Sequence, residues 1–279
     1  MTSITFLGTG GGRFATIYQI RATGGIYLND GPRIHLDPGP SALMGMRKLA
    51  LDPAKTDAVL ISHCHPDHYA DAEMLIEGMT KGGFKRSGML VGSISAIKGT
   101  EGFSQAVSEY HQSIVAGVET VEGGSSFAVK GMKVDATRTS HSDPTGVGFK
   151  FHTSSGVISY VGDTEYADYI KEEHAGCRVL VLNLTRPLNS RVPKHLCTED
   201  AAQLAKEISP EVVLLTHFGM RLVHEGVKKQ AEHVEKTSGA RTIAAEDLMT
   251  VQVGKTIRST RSRGWEIIGD GKGPVHLDA

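Results

Sequence analysis

The sequence is poor in cysteine, in excess charge of either sign and in long apolar runs. Three cysteines occur in 279 residues, at positions 64, 177 and 197. They are odd in number, widely spaced and form no CxxC pair, which argues against a disulfide framework and makes a reducing, cytoplasmic setting the default. The formal net charge is −1, so no strongly basic face for nonspecific nucleic-acid binding is expected. No segment is long and apolar enough to span a bilayer, and Met1-Thr2-Ser3-Ile4 lacks the basic and apolar regions of a signal peptide. No low-complexity tract or short-period repeat is visible.

What is present reads as a globular α/β chain. Hydrophobic residues make up 39% and charged residues 22%, and the 33 glycines fit many tight turns and close backbone approaches. Ile4–Leu7 reads as a first strand ending in Gly8-Thr9-Gly10-Gly11-Gly12, with no helix pattern after the glycines. A hairpin is expected at 26–36 and helices at 42–51 and 70–79. The polar region 93–117, with a helix around 104–115, is the expected insertion over an active site. Strands are expected at 127–129, 132–137, 147–151, 157–161, 178–182, 211–215, 242–244 and 249–253. Between them fall helices near 166–171, at 198–208 with Thr198 as N-cap, and from 219 to about 236. The order implies one domain of two packed sheets with helices outside, covering 1–257. Residues 258–279, polar apart from Trp265-Glu266-Ile267-Ile268, are expected to be an extension containing a strand or partly ordered.

The chemistry concentrates in Ile61-Ser62-His63-Cys64-His65-Pro66-Asp67-His68, directly after the apolar run Ala58–Ile61. Imidazole nitrogen and carboxylate oxygen suit zinc, manganese or iron. One tetrahedral ion cannot comfortably take all four side chains from so short a loop, so sharing between two adjacent ions is expected. His141, Asp163 and His217 each follow an expected strand and can complete such a centre.

The HxHxDH cluster, with His141, Asp163 and His217, resembles the metallo-β-lactamase superfamily of hydrolases. The opening Phe6-Leu7-Gly8-Thr9-Gly10 and the segment Leu36-Asp37-Pro38-Gly39 extend the resemblance over roughly 4–253. It implies an αββα four-layer sandwich with the metals at one edge of the sheets. It implies that His63, His65 and His141 bind one divalent ion and that Asp67, His68 and His217 bind the other. Asp163 would bridge them together with a water or hydroxide, the nucleophile, with Asp67 counted in the catalytic set. Zinc is the expected metal, with manganese or iron as alternatives.

His195, just before an expected helix, resembles the additional histidine of the phosphodiesterase branch. That branch includes RNase Z and the phosphoribosyl cyclic phosphodiesterase. An imidazolium there can protonate a departing alkoxide. RNase Z inserts a long tRNA-binding arm between the counterparts of His141 and Asp163, but only 22 positions separate them here. Where RNase Z has a glutamate supporting the catalytic histidine, this chain has Asn183, which can orient an imidazole without stabilising its charge. The N-terminal cysteines that hold a structural zinc in the cyclic phosphodiesterase are absent from 12–25.

The expected function is therefore hydrolysis of a small or cyclic phosphodiester, with His195 as proton donor. Alternatives are a lactone or thioester hydrolase on the same metals, and an RNase Z-like endonuclease lacking the arm. The expected partner is a small molecule rather than RNA or a membrane, with a homodimer left open. Asp37 is expected to brace the metal loops, Cys64 to point into the core, and His111, His224 and His233 to be surface residues. Arg13, Arg186 and Arg221 lie near expected strand or motif ends, and any one of them could pair with phosphate, with nothing in the sequence to choose among them.

Overall fold

The computed structural model describes residues 1–261, 264–269 and 271. Sixteen strands form two sheets among them. They are β1 Thr2–Phe6, β2 Ile26–Asn29, β3 Arg33–Leu36, β4 Ala58–Ile61, β5 Met89–Ser93, β6 Gly117–Val121, β7 Ser126–Val129 and β8 Met132–Arg138. There follow β9 Val147–Thr153, β10 Gly156–Tyr160, β11 Val179–Asn183, β12 Val212–Thr216, β13 Arg241–Ala244, β14 Thr250–Val253, β15 Ile257–Arg261 and β16 Gly264–Gly269. One sheet has the order β16-β15-β14-β1-β2-β3-β4-β5-β6, the other β13-β12-β11-β10-β9-β8-β7.

Each sheet mixes parallel and antiparallel pairings. β3 to β6 run parallel, as do β10 to β13. β9 lies antiparallel between β8 and β10, so β8 and β10 point the same way. Parallel strands bring their carboxyl ends to one edge, where the following loops can meet.

Alternation along the strands builds the layers. Ala58 and Leu60 face the core between the sheets, while Val59 and Ile61 pack under helices with Leu75 and Ile76. On the other sheet, Val212 and Leu214 face the same central core, while Val213 and Leu215 pack under Leu204 and Val234. Both strands are buried on two faces, as their near-continuous apolar runs require. Helices on both outer faces complete the expected four-layer αββα sandwich. No helix among the described residues is long and apolar enough to cross a membrane.

Several local expectations are corrected. A helix, Arg13–Tyr18, does follow the glycine run. Only its Ala15 is buried, and Phe14, Ile17 and Tyr18 are exposed, so it has no core-facing periodicity to reveal it. The helix expected around 104–115 forms only over Glu109–Ile114, and a further helix, Ile94–Lys98, precedes it. β6 was not expected; it is an edge strand in which only Val121 is buried. The helix expected from 219 to 236 breaks at Gly226, whose φ of 99° side-chain-bearing residues rarely adopt. Cys197, not Thr198, caps the helix Thr198–Ile208, its amide donating to Asp200 Oδ2 at 3.1 Å.

The segment 93–117 links β5 to β6 and contributes Ile97, Val107 and Val115 to the outer core. It touches the histidine cluster through Phe103, whose ring lies 5.8 Å from that of His65. In the expected C-terminal extension, β15 pairs with β14 and β16 with β15. The stretch 272–279 lies outside the described residues.

Candidate metal centre

The seven sequence-predicted ligand residues converge where the two sheets meet. His63 and His65 follow β4, His141 follows β8, Asp163 follows β10 and His217 follows β12. Asp67 and His68 sit on the one-turn helix Pro66–Tyr69, for which Pro66 supplies the preset first φ.

Two triads of ligand atoms form. His63 Nε2 lies 2.9 Å and His141 Nε2 3.2 Å from His65 Nδ1. In the second triad, His217 Nε2 is 3.0 Å from His68 Nε2 and 3.3 Å from Asp67 Oδ2. Asp163 lies between the triads, its Oδ2 3.8 Å from both His68 Nε2 and His141 Nε2. His63-His65-His141 and Asp67-His68-His217 are each compact enough to hold one ion.

The ring nitrogens facing away from the centre are tied down. His68 Nδ1 meets Asp37 Oδ2 at 2.9 Å, His141 Nδ1 the Lys194 carbonyl at 2.8 Å, His63 Nδ1 Ser62 Oγ at 3.0 Å and His217 Nδ1 Thr185 Oγ1 at 3.1 Å. Such outer partners fix ring orientation and tautomer in metal sites. His217 itself has φ 59°, in the left-handed region, so its backbone is held there by its surroundings.

The electrostatics match the donor geometry. Burial alone would depress His68, but the carboxylates of Asp37, Asp67 and Asp163 push it up to about 10. The same field favours a cation at this point. Burial would raise Asp67 and Asp163, yet the imidazoles around them hold both well below the usual carboxylate range. Burial, then neighbouring imidazoles, push His63 and His65 down, so they offer lone pairs rather than protons. Buried nitrogen lone pairs facing ionised carboxylates are a donor set suited to divalent transition metals.

Asp37 braces the site as expected. It accepts from the Ser62 amide, the Ser62 hydroxyl and the Tyr160 phenol, each at 2.7 Å, besides meeting His68. Asn183, which could have oriented an imidazole, has other partners. Its Nδ2 donates to Asp163 Oδ1 at 2.7 Å and to Tyr160 Oη at 2.9 Å. Cys64 is buried with its thiol on the Ser104 carbonyl, away from the ligands. His111 is not a free surface histidine: Nδ1 is 3.2 Å from Glu73 and Nε2 3.3 Å from Glu77, tying segment 93–117 to the helix Ala72–Met79. His224 is exposed but lines a cavity beside the centre.

Sequence reasoning missed Asp143 and Gly11. Asp143 is fully buried and accepts from the Cys64 amide at 2.8 Å, from the Thr145 amide at 3.0 Å and from the Ser95 hydroxyl. It thereby joins the His63–His65 loop to the His141 loop. Its position two residues after His141 was the available signal. Gly11 lies so close to His217 that a Cβ would overlap the ring.

His195 stands beside the cluster, its Nδ1 3.8 Å from Asp163 Oδ2. That nitrogen is buried and has no hydrogen-bond partner among the described residues. Burial pushes the ring down to about 4, against the opposing pull of Asp163. His195 also lines a cavity of about 570 Å³ together with His65, Asp67, Asp163, Phe14 and Ile17.

Fold and site together define a metal-dependent hydrolase. The chain matches the Beta-lactamase superfamily domain over residues 32–218 and belongs to that superfamily. An uncharacterised protein of Methanocaldococcus jannaschii is 39% identical over 245 residues, 87% of this chain and 91% of the relative. The metallo-β-lactamase fold protein YhfI of Bacillus subtilis superposes with a TM-score of 0.74 at 21% identity, covering 89% of this chain and 98% of its own. A diphosphatase of the PhnP family gives 0.65 at 19% identity, covering 91% and 98%. At those identities the structural likeness is one of fold.

Proposed function

We propose that this protein is a dinuclear metal-dependent phosphodiesterase acting on a small phosphodiester. The observation that carries the reading is His195, set beside two triads of ligands and opening on the same cavity. His63, His65 and His141 would hold one divalent ion and Asp67, His68 and His217 the other, with Asp163 between them; zinc suits the donor set. Bound metals at such a site activate water and neutralise charge on the phosphoryl oxygens.

The remaining work falls to the chain. Asp67, ionised and lining the cavity, accepts a hydrogen bond from the attacking water and orients it. Gly12 steadies that carboxylate, its amide donating to Asp67 Oδ2 at 2.7 Å. His195 delivers a proton to the leaving oxygen. The Asp163 carboxylate, with Oδ2 3.8 Å from His195 Nδ1, favours the imidazolium against the opposing effect of burial. A small substrate is supported by the route from His141 to Asp163, which holds β9, β10 and their turns and leaves no segment for an RNA-binding arm.

The test is metal analysis of the purified chain followed by a substrate panel. About two equivalents of divalent metal and turnover of bis-p-nitrophenyl phosphate are expected. Hydrolysis of lactones or thioesters with no phosphodiester cleavage would overturn the reading.

A further inference from the structure

Three cavities meet at His195, and they differ in charge. The first is the one over the ligand triads. The second, about 360 Å³, is lined by Glu165, Arg191 and Asp200. Its arginine is already matched, since Arg191 Nη2 lies 2.6 Å from Asp200 Oδ1. The third, about 490 Å³, is lined by Arg13, Arg186 and Arg221, with Phe14 and His224, and its one carboxylate is Glu225.

The three arginines come from separate segments: the start of the helix Arg13–Tyr18, the loop after β11, and the helix Met220–Glu225. Only part of their hydrogen-bonding capacity is spent. Arg221 Nε bonds Glu225 at 2.8 Å, and Arg186 Nε bonds the Ser190 carbonyl at 3.1 Å. Arg13 has no hydrogen-bond or ion-pair partner among the described residues. For a chain of net charge −1, three guanidiniums facing one carboxylate, which Arg221 already pairs, are a local excess of positive charge in a concave site. Guanidinium forks match phosphate oxygens in geometry and charge.

Resting on the phosphodiesterase reading, we propose that the arginine cavity is a subsite for a second phosphate carried by the leaving group of the substrate. The preferred substrate is then an asymmetric phosphodiester. Its scissile phosphorus lies at the ligand triads, and the departing alcohol extends past His195 and ends in a phosphomonoester among Arg13, Arg186 and Arg221. The first cavity, walled by Phe14 and Ile17, receives the apolar part of the retained group. In the reaction, water oxygen bonds to phosphorus and the phosphorus–oxygen bond to the leaving group breaks. The leaving oxygen takes the His195 proton, and the proton lost by water restores it. The products are a phosphomonoester and an alcohol that still carries its own phosphate.

Thymidine dinucleotides test this: d(TpT), d(TpTp) and d(pTpT), assayed on the metal-loaded chain. One of the phosphorylated forms should exceed d(TpT) in kcat/KM by about ten-fold, the value of a charged hydrogen bond. In Arg13→Ala and Arg221→Ala that ratio should fall towards one. A ratio near one in the wild type overturns the proposal, as does a ratio preserved in the variants. A calorimetric arm separates this outcome from failure of the phosphodiesterase reading. Thymidine 3′,5′-bisphosphate should bind the metal-loaded chain about ten-fold more tightly than thymidine 3′-phosphate, and Arg186→Ala should remove that gain. Equal binding of the two nucleotides overturns the subsite whether or not any diester is cleaved.

Discussion

The phenol of Tyr160 donates to the carboxylate of Asp37 at 2.7 Å, joining the end of β10 in one sheet to the loop after β3 in the other. Both groups are buried, and the bond belongs to a chain from Asp163 through Asn183 and Tyr160 to Asp37 and His68. The sheets are thus fastened to each other directly behind the ligands.

Tyr160→Phe breaks that chain without opening a cavity. It leaves Asp37 and Asn183 each short of a partner, so stability should fall by about 1–2 kcal/mol. Metal affinity should fall by about ten-fold or more, as it does when outer partners of ligands are lost. Urea titration and a competitive chelator assay measure the two effects. A stability loss with unchanged metal affinity would show that the phenol only staples the sheets.

Gly11→Ala places a methyl group against the His217 ring. The backbone at Gly11 cannot retreat freely, because its amide donates to the Phe218 carbonyl at 3.2 Å. The ring should be displaced, and kcat/KM should drop by about a hundred-fold while the circular dichroism spectrum stays native. Retained activity would mean that His217 tolerates a second position.

His174 is fully buried with both ring nitrogens unpartnered among the described residues, and burial pushes it down to about 3. The unfolded chain, with an ordinary value of about 6.5, binds a proton that the folded chain refuses over that interval. Stability should therefore decline as pH falls from about 6.5 towards 3. At pH 5 the loss from this group is about 2 kcal/mol relative to pH 7. His35, pushed by burial to about 4, acts in the same direction. His174→Leu should shrink the difference between urea midpoints at pH 7 and pH 5. An unchanged difference would assign the acid sensitivity elsewhere.

His195→Ala should discriminate between leaving groups. An alkoxide needs a proton to depart, so loss of the ring should cost about 10²–10³ in kcat on an alkyl phosphodiester. A p-nitrophenolate departs unaided, and there the cost should stay below about ten-fold. Equal losses on both substrates would make His195 a positioning group rather than an acid.

Much of this molecule is legible in the amino-acid sequence because its informative residues follow buried strands. The runs Ala58–Ile61 and Val212–Leu215 announce themselves by apolar content, and His63 and His217 lie directly beyond them. Less legible were elements whose side chains face outward. The helix Arg13–Tyr18 buries one residue, and β6 pairs on a single side, so neither shows a periodic apolar face. The partners of Asn183 were also hidden. Its neighbours Tyr160 and Asp163 lie at the end of the adjacent parallel strand and in the loop after it, and a register of that kind is settled by tertiary packing. The resemblance set Asn183 beside a catalytic histidine, whereas its amide holds Asp163 and Tyr160 instead.

The amide of Gly12 binds Asp67 and also begins the helix that carries Phe14 and Ile17. The wall facing the substrate and the ligand set therefore share one mechanical link. A molecule resting on Phe14 that moved the helix would change the hold on Asp67, and an ion held by Asp67 would then alter the affinity for that molecule by the same factor.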